Sequence, residues 1–509
     1  MKNRLIGIDI GTTGTKVALF TTSGTLEASS YYTYDSSYPE IGYVEQKPQD
    51  WVDGTISGLK AVMEESGADP ASIAGISFSG QMMGQVPISK DGELLLENIA
   101  IWADQRAKPQ AEQLLSDLGG HKTYYDITYM GHPVHMTSTF RIMWYKEHYP
   151  EVYEKACKWL HSKEYVLYRL TGALATDPSD QCLGGAFDLE AGKHSEDILK
   201  CAGISNECFP DLYESTEVVG KITDEIATLT GLQAGTPVAV GGGDGPCAAA
   251  GSSALAEGDA YFCLGSALWG GTIESQPFGD FDSKMICYRH VVPQRYHSQY
   301  VSFTGGIGQQ WFVETAYSEL AGDKAYAKAL EEATALSNDE SIPLFLPYLR
   351  AGGAPHHHGN ASGVFHGIRL RHTRAHLYKS VVLGIAHSLQ LLYEDVVRVT
   401  GRDINELTIV GGGALNPMLM QSIASSIGIP VRLLANQESN CLGAALCAGL
   451  SVGIWPSADA AKEAGIFHQN DQFNPEIENK EKLSIAYQRF QKSLEVAQSL
   501  WTLNQDLGV

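Results

Sequence analysis

The chain has 509 residues, 44% of them hydrophobic, more than a single core can use, so two large domains with ordinary soluble interiors are expected. A formal net charge of -23 argues against general affinity for nucleic acid or an anionic membrane surface, and leaves room for a local anion site. Nine scattered cysteines do not read as a disulfide framework, no apolar run approaches a membrane span, and Asp9 cuts the N-terminal apolar stretch, so a cytoplasmic chain is expected.

The first element is "LIGIDIGTTGTKVALF", residues 5–20. Ile6, Ile8 and Ile10 alternate as in a strand, a Gly-Thr-Thr-Gly turn follows, and "TKVALFTTSG" and "TLEASSYYTY" read as the second and third strands. A dinucleotide fingerprint needs GxGxxG ahead of a helix; here the spacing is wrong and a strand follows. Successive small residues in such a turn aim backbone N–H groups and two hydroxyls at an anion, and an acid on the preceding strand suits hydrated Mg2+. An ordinary hairpin with a half-exposed acid is the alternative.

Further along, "TPVAVGGGDGPCAAAG" (236–251) is a strand running into glycines, with Asp244 at its end. "GDAYFCLGSALWGGTIES" (258–275) repeats strand, Gly-Ser turn, strand. "LTIVGGGALNPMLMQSIASSIGIPV" (407–431) predicts a buried strand, three glycines that let backbone approach a flat ligand such as adenosine, and then a helix. Two hairpin-plus-glycine sets imply duplicated α/β domains facing each other across a nucleotide cleft. His356-His357-His358 reads as a Gly/Pro/Ala-rich surface loop in preference to a metal site. The C-terminal stretch has helical periodicity at Leu483, Ile485, Ala486, Phe490, Leu494, Ala497 and Leu500, as expected of a packing helix with a solvated face.

Nine segments together carry a resemblance over nearly the whole chain: "GIDIGTTGTKVALF", "SGQMMG" (79–84), "IWADQR" (101–106), "STFRIMWYKEHYPEVY" (138–153), "KEYVLYRLTGALATDPSD" (163–180), "GGGDG" (241–245), "LFLPYLRAGGAPHHH" (344–358), "GVFHGI" (363–368) and "ESNCLGAALCAG" (438–449). In order and spacing the chain resembles the FGGY carbohydrate kinases of the actin-like ATPase superfamily, nearest its xylulokinase-like members. The resemblance implies an α/β fold of two RNase H-like domains around a central cleft. Residues 1–250 would carry the sugar and the phosphate hairpin, and residues 251–509 the nucleotide.

The implied reaction is ATP-dependent phosphorylation of a small sugar hydroxyl, with a ketopentose such as D-xylulose as first choice. Ribulose, L-xylulose, erythritol or gluconate are the alternatives, and a catalytically silent sugar-binding regulator or a filament former are rivals on the same fold. By resemblance Asp244 is the base, although its residue type also suits capping a helix that starts near Pro246. Asp9 would hold Mg2+ through water. Thr12 and Thr13 would cradle the β- and γ-phosphates, faced by Gly265 and Ser266. Gly412, Ala414 and Asn416 would line the adenosine pocket, with Gly306 and Gln310 nearby.

Gln81, Met82, Trp102 and Asp104 would join Asp244 around the sugar, since an amide and a carboxylate each bind two hydroxyls and an indole covers an apolar sugar face. Core packing is the other reading of Met82 and Trp102, and Arg106 either orients Asp104 or binds sugar. Sugar or polyol and ATP are the implied partners, with neither nucleic acid nor membrane, and a homodimer is allowed.

The chain departs from the xylulokinase pattern near the sugar. Met83 replaces a histidine, Ala103 an asparagine, and Gly353-Ala354 stand where charges are usual; Arg141 replaces a lysine and Leu383 an acid. Polar contacts discriminate hydroxyl patterns, so these losses weaken the case for xylulose while the phosphate side stays intact.

Overall fold

In the computed structural model, residues 2–131, 134–337, 341–350, 352–353, 358–436 and 438–507 are described. The chain opens with an antiparallel meander of β1 (Arg4–Ile10), β2 (Gly14–Thr21) and β3 (Leu26–Thr33), in which Asp9 pairs with Lys16. β4 (Ile73–Gly80) lies parallel to β1. With β5 (Val218–Lys221), β6 (Pro237–Ala239) and β7 (Gly242–Gly243) they make a seven-stranded sheet of order β5-β6-β4-β1-β2-β3, β7 pairing with the end of β4.

The strand period of two sorts the apolar residues onto both faces of this sheet. Ile6, Ile8, Ile10, Val17 and Leu19 share one core with Trp51, Leu59 and Val62 of helix α1 (Pro48–Ser66). Leu5, Ala18, Phe20 and Ala74 share another with Cys441, Leu442, Ala445 and Leu446, far along the chain. Helix α2 (Ser162–Thr171) closes the α1 side through Tyr165, Val166 and Leu170. Being covered twice is why β1 reads as a nearly continuous apolar run, and it makes the one charged residue there conspicuous.

A second sheet repeats the plan. β8 (Ala260–Leu264), β9 (Leu268–Glu274), β10 (Ile286–Arg289), β11 (Tyr296–Ser302), β12 (Leu407–Val410), β13 (Val431–Leu434) and β14 (Gln469–Phe473) lie in the order β10-β11-β9-β8-β12-β13-β14. Again an antiparallel meander, β8-β9-β11, has a parallel neighbour, β12, beside its first strand. Helix α5 (Arg374–Thr400) buries Val381, Ile385, Leu389, Leu392 and Val396 against Phe262, Leu264 and Ile409 of this sheet.

Between the sheets, helix α3 (Asp244–Gly251), which follows β7, crosses helix α7 (Ser439–Ser451). The crossing brings backbone onto backbone: a Cβ on Gly251 would lie 1.8 Å from the Ser439 carbonyl oxygen, and one on Gly443 would lie 2.0 Å from that of Cys247. Only glycine permits such an approach. α7 therefore belongs by sequence to the second half yet packs on β1 and β4 of the first sheet.

Helix α4 (Ile307–Ala316) and helix α6 (Pro417–Ile427) flank the second sheet, and α6 follows the triple glycine as expected. The C-terminal helix α8 (Lys480–Leu507) forms where periodicity predicts it, on a slightly rotated face. Tyr487, Phe490, Leu494, Ala497 and Trp501 are buried against Leu344, Leu346 and Tyr348, while Ile485 and Leu500 are 54% and 55% exposed. The aromatic rings at 487 and 501 fill more of the seam than the aliphatic residues counted from sequence, so they define the buried stripe. All nine cysteines are free thiols. No described helix is long and apolar enough to cross a membrane. Ala354, His356 and His357 lie outside the described residues.

Candidate active site

The parallel strands β1, β4 and β7 end side by side, so their carboxyl ends deliver Asp9, Gln81 and Asp244 to one edge of the first sheet, where open α/β sheets bind ligands. Asp9 stands opposite Ser79, whose hydroxyl donates to Asp9 Oδ1 at 2.7 Å. The Asn440 amide, at the start of α7, donates to the same oxygen at 3.2 Å. Burial pushes the Asp9 carboxyl up from its usual range, opposed by those two hydrogen bonds and by the Lys16 charge. Lys16, across the hairpin, pairs with Glu438 at 2.6 Å, so the stretch 438–440 approaches the hairpin from two sides.

Asp244 is half-buried in the first turn of α3. The helix starts at Asp244, two residues earlier than its capping reading requires; Gly243 holds the N-cap position and makes no side-chain cap. Asp244 Oδ1 accepts the Gly245 N–H at 2.8 Å. Burial first, and then the negative charge on Asp9, push its pKa up to about 7. A carboxylate so tuned exchanges protons near neutral pH, as a general base requires. From the second sheet, Tyr261 donates to the Gly245 carbonyl at 3.2 Å, and the buried Tyr288 ring lies against the same glycine.

Gln81 and Met82 continue β4. Gln81 is buried, donates through Nε2 to Gln46 Oε1 at 2.9 Å, and keeps Oε1 unpartnered. Gln46 in turn donates to the Thr12 carbonyl at 2.6 Å, tying the Gln81 side chain to the β1-β2 hairpin. The Met82 side chain packs on Gly243, where a Cβ would meet its sulfur at 2.6 Å. Trp102 is 37% exposed, and its indole N–H donates to Thr12 Oγ1 at 2.8 Å, so it faces the site and is not core.

Asp104 behaves differently. It is fully buried and accepts from the Val44 N–H and from the backbone and guanidinium of Arg106, at 2.7 to 2.9 Å. Arg106 also meets Glu45 at 2.6 Å and stacks on Tyr43 at 4.0 Å. Of the two roles open to Arg106, the geometry selects orienting Asp104. Thr13, exposed, shares a hydrogen bond of 2.7 Å with Tyr31.

The second sheet contributes backbone. Gly306 N–H donates to the Gly265 carbonyl at 2.7 Å and Gly305 N–H to that of Ser266 at 2.9 Å, so the β8-β9 turn and the start of α4 form one surface. Gly411 sits at φ 93° with a virtual Cβ 2.9 Å from the Leu264 carbonyl, which brings the triple glycine to the same turn. A Cβ on Gly412 would meet nothing within 4 Å, and Ala414 is buried behind it.

Asn416 caps α6 with Oδ1, and its amide donates to Gln309 at 2.5 Å and Tyr378 at 3.1 Å. Gln310, by contrast, is exposed on α4 and hydrogen-bonds Glu314. The glutamine brought to Asn416 is thus Gln309, the neighbour of Gln310 on α4.

Ser79, Lys16, Gln46, Glu438 and Asn440 were not among the expected site residues. Lys16 was the legible one, a lone cation beside the anion turn. Two departures from the family pattern have structural reasons. Arg141, buried, donates to the Met83 and Ile101 carbonyls and to Gln85, holding the turn after β4, in which Met83 sits at φ 63°. At Gly353 a Cβ would lie 2.5 Å from the Val301 carbonyl, leaving no room for a charged side chain.

The site suits Mg2+. Asp9 uses Oδ1 for Ser79 and Asn440, and Oδ2 faces the Gly11 turn, 4.0 Å from a virtual Cβ there. One carboxylate oxygen beside a polar turn fits a cation that keeps most of its waters.

Comparison with known proteins agrees with this geometry. The N-terminal domain of the FGGY family of carbohydrate kinases matches residues 4–251, and the C-terminal domain of that family matches residues 281–452. A xylulose kinase of Bacillus subtilis is 29% identical over 504 residues, 99% of this chain and 98% of the relative. A gluconokinase of the same organism is 26% identical over 470 residues, 91% of this chain and 90% of the relative. The fold matches the ligand-bound xylulose kinase from Lactobacillus acidophilus with a TM-score of 0.87 at 24% identity, over 97% of this chain and 98% of that one. With both family domains in order along the chain and the actin-like arrangement of two α/β domains in place, the protein belongs to the FGGY carbohydrate kinases, phosphotransferases with an alcohol group as acceptor.

Proposed function

We propose that the protein transfers the γ-phosphoryl group of ATP to a hydroxyl of a ketopentose, D-xylulose in the first instance, with Asp244 as general base. The observation that carries this reading is the meeting of a carboxylate with a pKa near 7 and a buried, unpartnered Gln81 Oε1 at adjoining strand ends. Asp244 accepts the proton of the attacking hydroxyl. Gln81 orients the sugar hydroxyls, and the Trp102 ring and Met82 give the pocket an apolar wall. Asp104 acts behind them by fixing Arg106 and the 101–106 loop.

Thr12 and Thr13 hold the β- and γ-phosphates from one side, and Gly265 and Ser266 from the other. Gly306, Gly412 and Ala414 form the adenosine floor, braced by Asn416, with Gln310 at its rim. Asp9 would hold Mg2+ through water, and the ion would supply charge neutralisation on the phosphates during transfer. In this reading residues 1–250 carry the acceptor and the phosphate hairpin and residues 251–509 the nucleotide, apart from α7, whose start reaches Asp9. The enzyme works in the cytoplasm, where ATP is available.

The test is coupled ADP release with D-xylulose, D-ribulose, L-xylulose, erythritol and D-gluconate. The highest kcat/KM is expected with D-xylulose. Preference for gluconate would correct the acceptor, and no ADP release with any sugar or polyol would remove the kinase reading altogether.

A further inference from the structure

A dense set of buried charges lies behind the site, outside every residue assigned above. Lys163, in α2, is 1% exposed and its ammonium meets Asp177 at 2.9 Å and Asp180 at 3.4 Å. His161 Nδ1 meets the other oxygen of Asp180 at 2.6 Å, and its Nε2 meets Ser138 at 2.9 Å. His161, Glu164 and Asp180 lie close enough together to bind a metal, but the Lys163 ammonium already supplies the cation. The Ser138-His161-Asp180 chain has the order of a hydrolytic triad, yet all three are buried, so no substrate reaches the hydroxyl.

Two of this network's links lead onto the site. Asp177 Oδ2 accepts from Ser179 Oγ at 2.5 Å, and Ser179 Oγ in turn accepts the Gly243 N–H, the residue before Asp244, at 3.2 Å. Ser162, next to Lys163, donates to the Gln81 carbonyl at 2.8 Å. Packing reinforces both links. A Cβ on Gly242 would lie 2.7 Å from Ser179 Oγ, and one on Gly80 would lie 2.9 Å from Lys163 Cβ.

A buried, hydrogen-bonded set of charges fixes its members in one arrangement, and here the arrangement ends on β7, the strand before Asp244. We propose that Lys163, Asp177 and Ser179 are positioning residues that hold the Gly242–Gly243 strand, and through it Asp244, in line with the acceptor that the Gln81 turn presents. The proposal rests on the reading of Asp244 as base. Lys163 fixes the Asp177 carboxylate, Asp177 orients the Ser179 hydroxyl, and Ser179 leaves its oxygen lone pair to the Gly243 N–H.

Ser215 provides the control. Its hydroxyl donates to the same Asp177 oxygen at 2.6 Å, and its link toward β7 is a backbone one, the Gly241 N–H donating to its carbonyl at 3.0 Å, which alanine keeps. The experiment compares Ser179→Ala with Ser215→Ala in the full-length protein, by steady-state kinetics on the best acceptor and by hydrogen exchange across residues 241–246. Ser179→Ala is expected to lower kcat about 10- to 100-fold, the scale of a misplaced catalytic group, with KM for ATP within about twofold of the parent. Exchange in 241–246 should be faster, whereas Ser215→Ala stays close to the parent in both. Asp177→Asn, which keeps the shape and breaks the pair with Lys163, should follow Ser179→Ala. Equal kcat and equal exchange for the two serine variants would overturn the proposal. If the parent phosphorylates no acceptor, the function is wrong, and the exchange comparison still decides whether Ser179 holds the strand.

Discussion

The two sheets share a strand order and differ in what they present. At the carboxyl edge of the first, polar side chains stand out: Asp9 and Gln81 are hydrogen-bonded by Ser79, Asn440 and Gln46, and Asp244 follows the strand that Ser179 meets. At the matching edge of the second, Gly265, Gly306 and Gly411–Gly413 present backbone around a surface open beyond Gly412. In the proposed function one edge moves a proton and must control charge, while the other holds a flat, polyanionic molecule and must only fit it. The two halves repeat one sheet plan, with buried polar groups at the edge of the first and glycines at the edge of the second.

The comparison makes opposite demands on mutants. Asp244→Asn keeps the shape and removes the proton acceptor, so kcat should fall about 10²–10⁴-fold with KM for ATP changed no more than a few fold. Retention of more than a tenth of the parental kcat would break the assignment. A Cβ at Gly412 meets nothing within 4 Å, so Gly412→Val is expected to keep the fold while KM for ATP rises about tenfold or more and kcat at saturation stays near the parent. An unchanged KM would mean that the open space at Gly412 is not where the nucleotide lies.

The proton-accepting edge should also show in pH. Because burial raises the Asp244 pKa to about 7, the active, ionised form is lost as pH falls, and kcat/KM for the acceptor should drop about tenfold per unit below pH 7. In stability the sign reverses. The folded chain holds a proton on Asp244 between about pH 4 and 7 that the unfolded chain has released, so stability is lost as pH rises through that window. Asp244→Asn should therefore melt higher than the parent at pH 8 and close to it at pH 4, checked by thermal unfolding at both; a lower melting temperature at pH 8 would contradict the buried-carboxylate account.

The smallest effect sharpens the sugar end alone. Met83→His restores the imidazole usual in xylulokinases, at a residue with φ 63° that histidine tolerates. One hydrogen bond is worth about 0.5–1.5 kcal/mol, so kcat/KM for D-xylulose relative to the other acceptors should rise roughly 2- to 12-fold. An unchanged ranking would show that residue 83 does not face the acceptor.

Legibility in the sequence followed the same division. The hairpins and glycine turns were readable because alternation, Gly-rich breaks and an isolated acid are local signals, and β1–β3, β8–β9 and β12–α6 lie where those signals put them. The contacts that charge the first edge were not. Asn440 reaches Asp9 across 431 positions of chain because α7 returns to the first sheet, and no local pattern announces such a return. For Asp104 the sequence left Arg106 two roles, and the choice rests on the Val44 N–H and on Glu45, which approach from 60 and 61 residues away only in the fold. Gln309 and Gln310 are indistinguishable by type, and only the helix face separates the one that meets Asn416 from the one in solvent.

The division itself is tested most directly by calorimetric titration of a non-hydrolysable ATP analogue, with Mg2+, into the parent, Asp244→Asn and Gly412→Val, a measurement that does not depend on knowing the acceptor. The account predicts binding to Asp244→Asn within a few fold of the parent and binding to Gly412→Val about tenfold weaker or worse. Equal losses in the two variants, or the larger loss in Asp244→Asn, would contradict a first sheet that performs the chemistry and a second that holds the nucleotide.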